Sequence, residues 1–388
     1  MTEYMEKDGL YVANTYKRFP VEIVSGQGST LTDAQGKTYT DLGSGIGVTI
    51  FGAADEAWKS AVIDQLGKVQ HTSNLYYTHP CVTLAEMLCQ RTGMKKVFFS
   101  NSGAEANECA IKVARKYAAE KKGKDVYTIV TLENSFHGRT LTTLAATGQE
   151  HYHELFQPLT PGFVSTPAND LDALRQLFDT VKVAGLLMEC VQGEGGVIPL
   201  TAEFVQGAAA LCKERDVVLM FDEVQVGNGR SGALYAYMNF GVEPDVVSTA
   251  KGLAGGLPLG ATLLGEKVQN VLGFGDHGST FGGNPACCAG AVNVLSRIDE
   301  ELLASVREKS KAVFASLEGA PGIESVTGMG LMIGVKTKKP AGDVVNACIQ
   351  KGVLCLTAAD KVRLLPALNI PMEQLMAAVE VIKEAAAE

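Results

Sequence analysis

The sequence predicts an α/β protein, with a large, doubly wound, mostly parallel sheet domain and a smaller α/β domain built from both chain ends. Short apolar, β-branched runs at 96–100, 126–131, 183–190, 217–221 and 246–249 are interleaved with helical patterns, as in parallel strands covered on both faces. Several of these runs end in acid or glycine, which puts polar chemistry at the carboxyl ends of strands, where open α/β sheets bind ligands. After residue 294 shorter strands alternate with helices, the pattern of a second, smaller unit. A chain of 388 residues has room for both. The expected division is 1–54 for an N-terminal arm and part of the small domain, 55–290 for the large domain, and 291–388 for a connector helix and the C-terminal small domain.

Taken in order, 22–26 and 38–41 read as strands about a turn at Asp33-Ala34-Gln35-Gly36. The glycines of 42–48 permit close backbone approach. A helix is expected over 54–66, then a loop in which Tyr76 and Tyr77 pack rather than react. The strand 96–100 leads through Asn101-Ser102-Gly103-Ala104-Glu105 into a helix ending near Lys121, with Ala110, Ile111, Val113, Ala114 and Tyr117 on its buried face. Its first turn offers free backbone N–H groups and a positive dipole end, an anion site, although a plain Ser N-cap accounts for the same residues. His137 reads as a hydrogen-bonded structural residue, and His151 and His153 as surface residues. The run 183–190 carries Glu189 near its end and precedes Gly193-Glu194-Gly195-Gly196. Residues 226–232 read as a mobile loop. A helical stretch from Asn284, a connector over 294–317, strands at 332–336, 353–356 and 362–365, and helices over 341–351 and from 372 onward complete the chain.

Hydrophobic residues make up 46% and charged residues 20%, ordinary globular content. A net charge of −9 argues against a nucleic-acid partner. No apolar run approaches the roughly 18 residues of a membrane span. The acidic, polar start reads as neither signal nor transit peptide, so a cytoplasmic location is expected. The nine cysteines are read as buried thiols in a reducing compartment, and Cys287-Cys288 is too close for a Cys-x-x-Cys metal site, so no metal is expected.

The chemistry centres on Lys251, between the run 246–249 and a glycine-rich loop. A lysine there can reach into a cleft as an amine, against the ordinary alternative of a solvated surface charge. The run 217–221 ends in Asp222-Glu223, where Asp222 is otherwise a helix cap or half of a surface ion pair. Asp and Lys at neighbouring strand ends suit pyridoxal phosphate. The amine takes up the cofactor's aldehyde, and the carboxylate keeps the pyridine nitrogen protonated so that the ring accepts electrons.

Asp222-Glu223-Val224-Gln225, Ala250-Lys251-Gly252 and Ser279-Thr280-Phe281-Gly282-Gly283-Asn284-Pro285 together resemble the signature of the class III pyridoxal-phosphate aminotransferases, a likeness running from about Tyr16 to the C-terminus. It implies a fold-type-I enzyme with pyridoxal 5'-phosphate as cofactor. By this resemblance Ser102, Gly103 and Ala104 hold the cofactor phosphate, Phe136 and Val224 face opposite sides of the ring, and Gln225 lies near the phenolic oxygen. Asp222 meets the ring nitrogen and Lys251 is the attachment point and proton carrier. Arg139, Glu194 and Arg363 fall at substrate positions, the arginines meeting carboxylates and Glu194 standing in for one when the substrate lacks it. Thr280 reaches the phosphate site of a neighbouring subunit, which implies a homodimer with shared active sites.

Within the family the likeness is strongest to the branch acting on N2-acetylornithine, which implies transfer of its terminal amine to 2-oxoglutarate in the direction of arginine synthesis. Other amine donors (ornithine, succinylornithine, 4-aminobutyrate, an acyl-lysine) are the first rivals, and an aminomutase or decarboxylase on the same fold is the second. A catalytically silent binding scaffold is the third, opposed by the intact Lys251, Asp222, Gln225 and Thr280. One departure stands out: relatives usually carry Gly-His-x-His-Pro where this chain reads Gly52-Ala53-Ala54-Asp55-Glu56.

Overall fold

The computed structural model describes residues 2–387. Its central sheet has seven strands in the spatial order Lys96–Ser100, Gly260–Leu264, Val246–Thr249, Val218–Asp222, Val183–Met188, Thr128–Leu132, Phe163–Thr166. Gly260–Leu264 runs antiparallel to both neighbours, and the other pairings are parallel. The middle strands are buried residue for residue, which is why they read as unbroken apolar runs rather than as alternation. The helix Gly103–Lys121 packs on this sheet through Ala110, Ile111, Val113, Ala114 and Tyr117. Gly185 permits the close approach: a Cβ there would lie 2.7 Å from Met220 Cε and 2.9 Å from Ala114 Cβ.

Two four-stranded sheets form the smaller part. Ile23–Gln27, Thr30–Asp33 and Thr38–Asp41 are joined by Val353–Leu354, which pairs parallel to Thr38–Asp41 and so ties one chain end to the other. The second sheet is antiparallel, in the order Ile323–Met329, Met332–Thr337, Lys361–Leu364, Leu356–Ala358. Arg363 therefore lies on an interior strand, which rules out a solubilising role at a sheet edge. The α/β class, with a large mostly parallel sheet and a smaller unit, is as expected.

Several local expectations are corrected. The connector helix starts later than the expected 294: residues 294–296 end the preceding helix, Pro285–Ser296, and the connector helix is Glu300–Leu317. The break comes where Asp299 caps the second helix and Arg297 turns to Asp55, Nη1 to Oδ1 at 2.6 Å and Nη2 to Oδ2 at 3.0 Å. Asp55 also caps the helix Glu56–Leu66, and its hydrogen bonds with Arg297 hold its carboxyl below the ordinary value. The expected strand 353–356 splits at Cys355, each half joining a different sheet. A helix Glu3–Tyr11 and the strand Ile323–Met329 carried no clear sequence signal. Residues 226–232 are not a mobile loop but a buried turn: Asn228 Nδ2 donates to Thr249 Oγ1 and the Ala250 carbonyl, both at 3.1 Å. His153 is buried, not exposed, with Nε2 2.9 Å from the Leu144 carbonyl. Tyr76 and Tyr77 are exposed rather than packed. All nine cysteines are free, but Cys81, Cys89 and Cys287 are only half-buried.

Candidate active site

The parallel register sets Asp222 opposite Ser248, so Lys251 emerges from the neighbouring strand three residues further on. The two converge on a cavity of about 600 Å³. Of the residues expected from sequence, Ser102, Gly103, Ala104, Phe136, Arg139, Asp222, Val224, Gln225 and Lys251 line it, with Tyr16, Val48, Asn107, His137 and Glu189.

Lys251 is half-buried and has φ +49, a left-handed conformation that costs a non-glycine residue about 1–2 kcal/mol. Asn228, holding Ala250, secures the strand end against that strain. Desolvation pushes the Lys251 pKa below that of an ordinary lysine; Arg363 adds to this, whereas Glu194, Asp222 and Glu189 oppose it. A lowered pKa leaves more of the amine neutral and nucleophilic.

Asp222 is buried and its carboxylate receives three donors. Asn107 Nδ2 at 2.7 Å and His137 Nδ1 at 2.8 Å meet Oδ2, and the Val224 N–H meets Oδ1 at 3.0 Å. Asn107 also donates to the His137 carbonyl and accepts from Ser248, so strand, helix and loop are locked around one carboxylate. His137 is thus the structural residue expected, and what it does is aim Asp222. Glu223, one residue on, is fully buried and accepts the Ala236 and Tyr237 N–H groups at 2.8 and 2.9 Å. Burial pushes its carboxyl up to about 8.

At the helix start, Ser102 Oγ accepts the Glu105 N–H at 3.2 Å, leaving the first-turn N–H groups of Gly103 and Ala104 without intrahelical acceptors. The Ser cap and the anion site are therefore compatible. A Cβ on Gly103 would sit 2.5 Å from Val224 Cγ1, so only glycine lets the helix start meet that wall.

Arg363, Glu194 and Gln225 form a closed triangle beside the cavity. Arg363 Nη1 donates to Glu194 Oε1 at 2.7 Å and to Gln225 Oε1 at 3.1 Å, and Gln225 Nε2 donates to Glu194 Oε1 at 3.2 Å. Burial raises the Glu194 pKa, but Arg363, with Lys251 and Gln225, outweighs burial and holds the acid below its ordinary value. Arg363 is buried and its Nε has no partner. Arg139 is exposed at the rim, its guanidinium 4.3 Å from the Tyr152 ring and 5.6 Å from Phe136. Thr280 is not brought to this cavity; it stands exposed on a loop whose Ser279 meets Asn101.

Sequence reading left Asn107 and Glu189 without roles. Asn107 had a signal, a polar residue on the apolar helix face, since a buried amide needs partners. Glu189 had one too, an acid closing a buried strand.

The family model for the class-III aminotransferases matches residues 11–386, and the chain belongs to that family. It is 48% identical over 383 residues to the acetylornithine aminotransferase of Haemophilus ducreyi, covering 98% of each chain. The N-acetylornithine aminotransferase of Stenotrophomonas maltophilia superposes with a TM-score of 0.85 at 34% identity, over 99% of this chain and 98% of the other. The ornithine aminotransferase of Toxoplasma gondii, whose structure shows partial occupancy of PLP at the active site, gives a TM-score of 0.94 at 30% identity, over 100% of this chain and 94% of the other.

Proposed function

We propose that this chain is a pyridoxal-phosphate-dependent transaminase that moves the terminal amine of N2-acetylornithine to 2-oxoglutarate, giving N-acetylglutamate 5-semialdehyde and glutamate. The observation that carries the reading is the pairing of Lys251 and Asp222 at two parallel strand ends, on one cavity that begins at a helix N-terminus. The donor set fits the cofactor. The cap at Ser102 and the first-turn N–H groups of Gly103 and Ala104 suit a phosphate, and Phe136 and Val224 offer apolar walls for a ring. When bound, pyridoxal phosphate supplies an aldehyde for amines and a ring that takes up electrons from the substrate carbon.

The chain's own residues do the rest. Lys251 Nζ would hold the cofactor's aldehyde and, as a free amine, would carry the proton to and from the substrate carbon. Asp222, held by Asn107, His137 and the Val224 N–H, would supply a fixed negative charge for the ring nitrogen. Arg139 at the rim meets the distal carboxylate, which acetylornithine and glutamate both present when their reacting amine lies at Lys251. Glutamate adds a near carboxylate for Arg363. Acetylornithine has none, and the Glu194–Arg363 pair supplies the anion instead. A donor panel with 2-oxoglutarate as acceptor, measuring kcat/KM for each amine, tests the assignment; carbon dioxide release, or turnover without 2-oxoglutarate, would sink it.

The pair makes a separable prediction. Glu194→Ala leaves Arg363 open, so the glutamate half-reaction holds or improves, while the acetylornithine half-reaction falls about 10- to 100-fold, the worth of one charged hydrogen bond. Single-turnover measurement of each half-reaction reads this, and an equal drop in both would confine Glu194 to loop support.

Thr280, exposed in the single chain, fits a contact with a second copy's phosphate site. If so, mixing Thr280→Ala with Lys251→Ala protein makes hybrid dimers with one intact site. After subunit exchange about a quarter of wild-type activity is expected at low cofactor concentration, the statistical share of intact sites. No recovery with exchange confirmed would place Thr280 within its own chain's site.

A further inference from the structure

Glu189 has no part in the roles above, yet its carboxylate joins two walls of the cavity. It directly follows the buried strand Val183–Met188, is itself buried, and lines the cavity. Oε1 accepts the backbone N–H of Phe136 at 2.9 Å, and Oε2 accepts that of Gly193 at 3.3 Å. Phe136 is the aromatic wall, and Gly193 immediately precedes Glu194. The turn at Gly193 has no slack: a Cβ there would fall 2.5 Å from Gln225 Oε1, the atom that also receives Arg363. One side chain thus spans from the ring-facing wall to the turn that carries the Glu194–Arg363 pair.

We propose that Glu189 is a positioning residue whose ionised carboxylate sets the separation of Phe136 from the Gly193–Glu194 turn, and so aims Glu194 at Arg363 and Gln225. This rests on the reading of Phe136 and Glu194 as cofactor and substrate contacts. The ionised form does this best: a carboxylate accepts well on both oxygens, whereas in the acid one oxygen becomes a hydroxyl donor and a much weaker acceptor for the second N–H. Burial pushes the Glu189 carboxyl up to about 7; Asp222 adds to this, and His137 and the two N–H groups oppose it. The charged and titratable neighbours are His137, Asp222 at the end of the adjoining strand, Lys251 from one strand beyond it, and Cys190 beside it in sequence. Both N–H bonds should therefore hold above pH 7, and below it the acid should keep only one of them well made.

Amide hydrogen exchange resolved to single residues, on the cofactor-free protein, tests this without any turnover. The wild-type protein should lose protection at one of the two amides, Phe136 or Gly193, by about 10-fold between pH 8 and pH 6 after correction for intrinsic rates, while the other amide and those of Gly260–Leu264 stay closer to level. Glu189→Gln keeps the shape but offers one accepting oxygen, so one of the two amides should be unprotected at pH 8 and the pH dependence should vanish. In the cofactor-loaded enzyme the same variant should raise the KM for the amine donor about 5- to 10-fold with a smaller change in kcat. Unchanged protection at both amides across that pH range would overturn the proposal, and so would lost protection with an unchanged donor KM. If Glu189→Gln does not fold, the wild-type pH series alone decides. A wild-type protein that transaminates no amine would overturn the functional reading instead, and the exchange pattern would still judge whether Glu189 holds the two walls.

Discussion

Lys251→Ala is expected to lose the yellow colour of the bound cofactor and to lower turnover by about 10⁴-fold or more, the upper range for removing a positioned acid–base group. Two functions vanish at once, covalent attachment and the proton carrier at the substrate carbon, and nothing nearby replaces them. The φ of +49 at this position separates chemistry from strain. Alanine keeps a Cβ in the left-handed region, so the backbone strain remains and stability should change little. Lys251→Gly relieves the strain and should be more stable than the alanine variant while equally inactive. Absorbance, turnover and thermal melts of the two variants check this. Near-normal turnover in either would remove Lys251 from the mechanism.

Asp222→Asn is expected to retain cofactor but lose at least about 10²-fold in kcat, the scale for deleting one preorganised electrostatic contact. The amide no longer carries the charge, and its NH2 group meets at least one of three N–H donors: Asn107, His137 or Val224. A donor facing a donor in a buried site also costs about 1–3 kcal/mol, so a lower melting temperature should accompany the lost rate. Steady-state kinetics give the split between kcat and KM. An unchanged kcat would exclude Asp222 as the ring-nitrogen partner.

Much of this site was legible before any fold was known. Lys251, Asp222 and the helix start at Ser102 stand at transitions between an apolar run and a polar or glycine-rich turn, and those transitions are local. Likewise Val246–Thr249 reads as a strand because its β-branched run suits a pleated, buried surface. Glu189 and Glu223 show where legibility ended. An acid after an apolar run looks the same whether its carboxylate is solvated or sealed, and only packing decides. The turn 226–232 failed for the mirror-image reason: glycines suggest mobility, but here they let the chain fold into a space closed by Thr249 and Ala250.

The sequence alone determined the α/β class, the family, and the lysine and aspartate on which the proposed chemistry turns, because each depends on residues adjacent in the chain. Tertiary structure decided which distant groups meet. His137 and Asn107 reach Asp222 across 85 and 115 residues, and Arg363 finds Glu194 across 169. It also left Arg363 on an interior strand, Thr280 exposed and His153 buried. Contacts of that range follow from strand order and helix packing on the sheet. Their energy comes from desolvation and shared hydrogen bonds that exist only once the layers have closed.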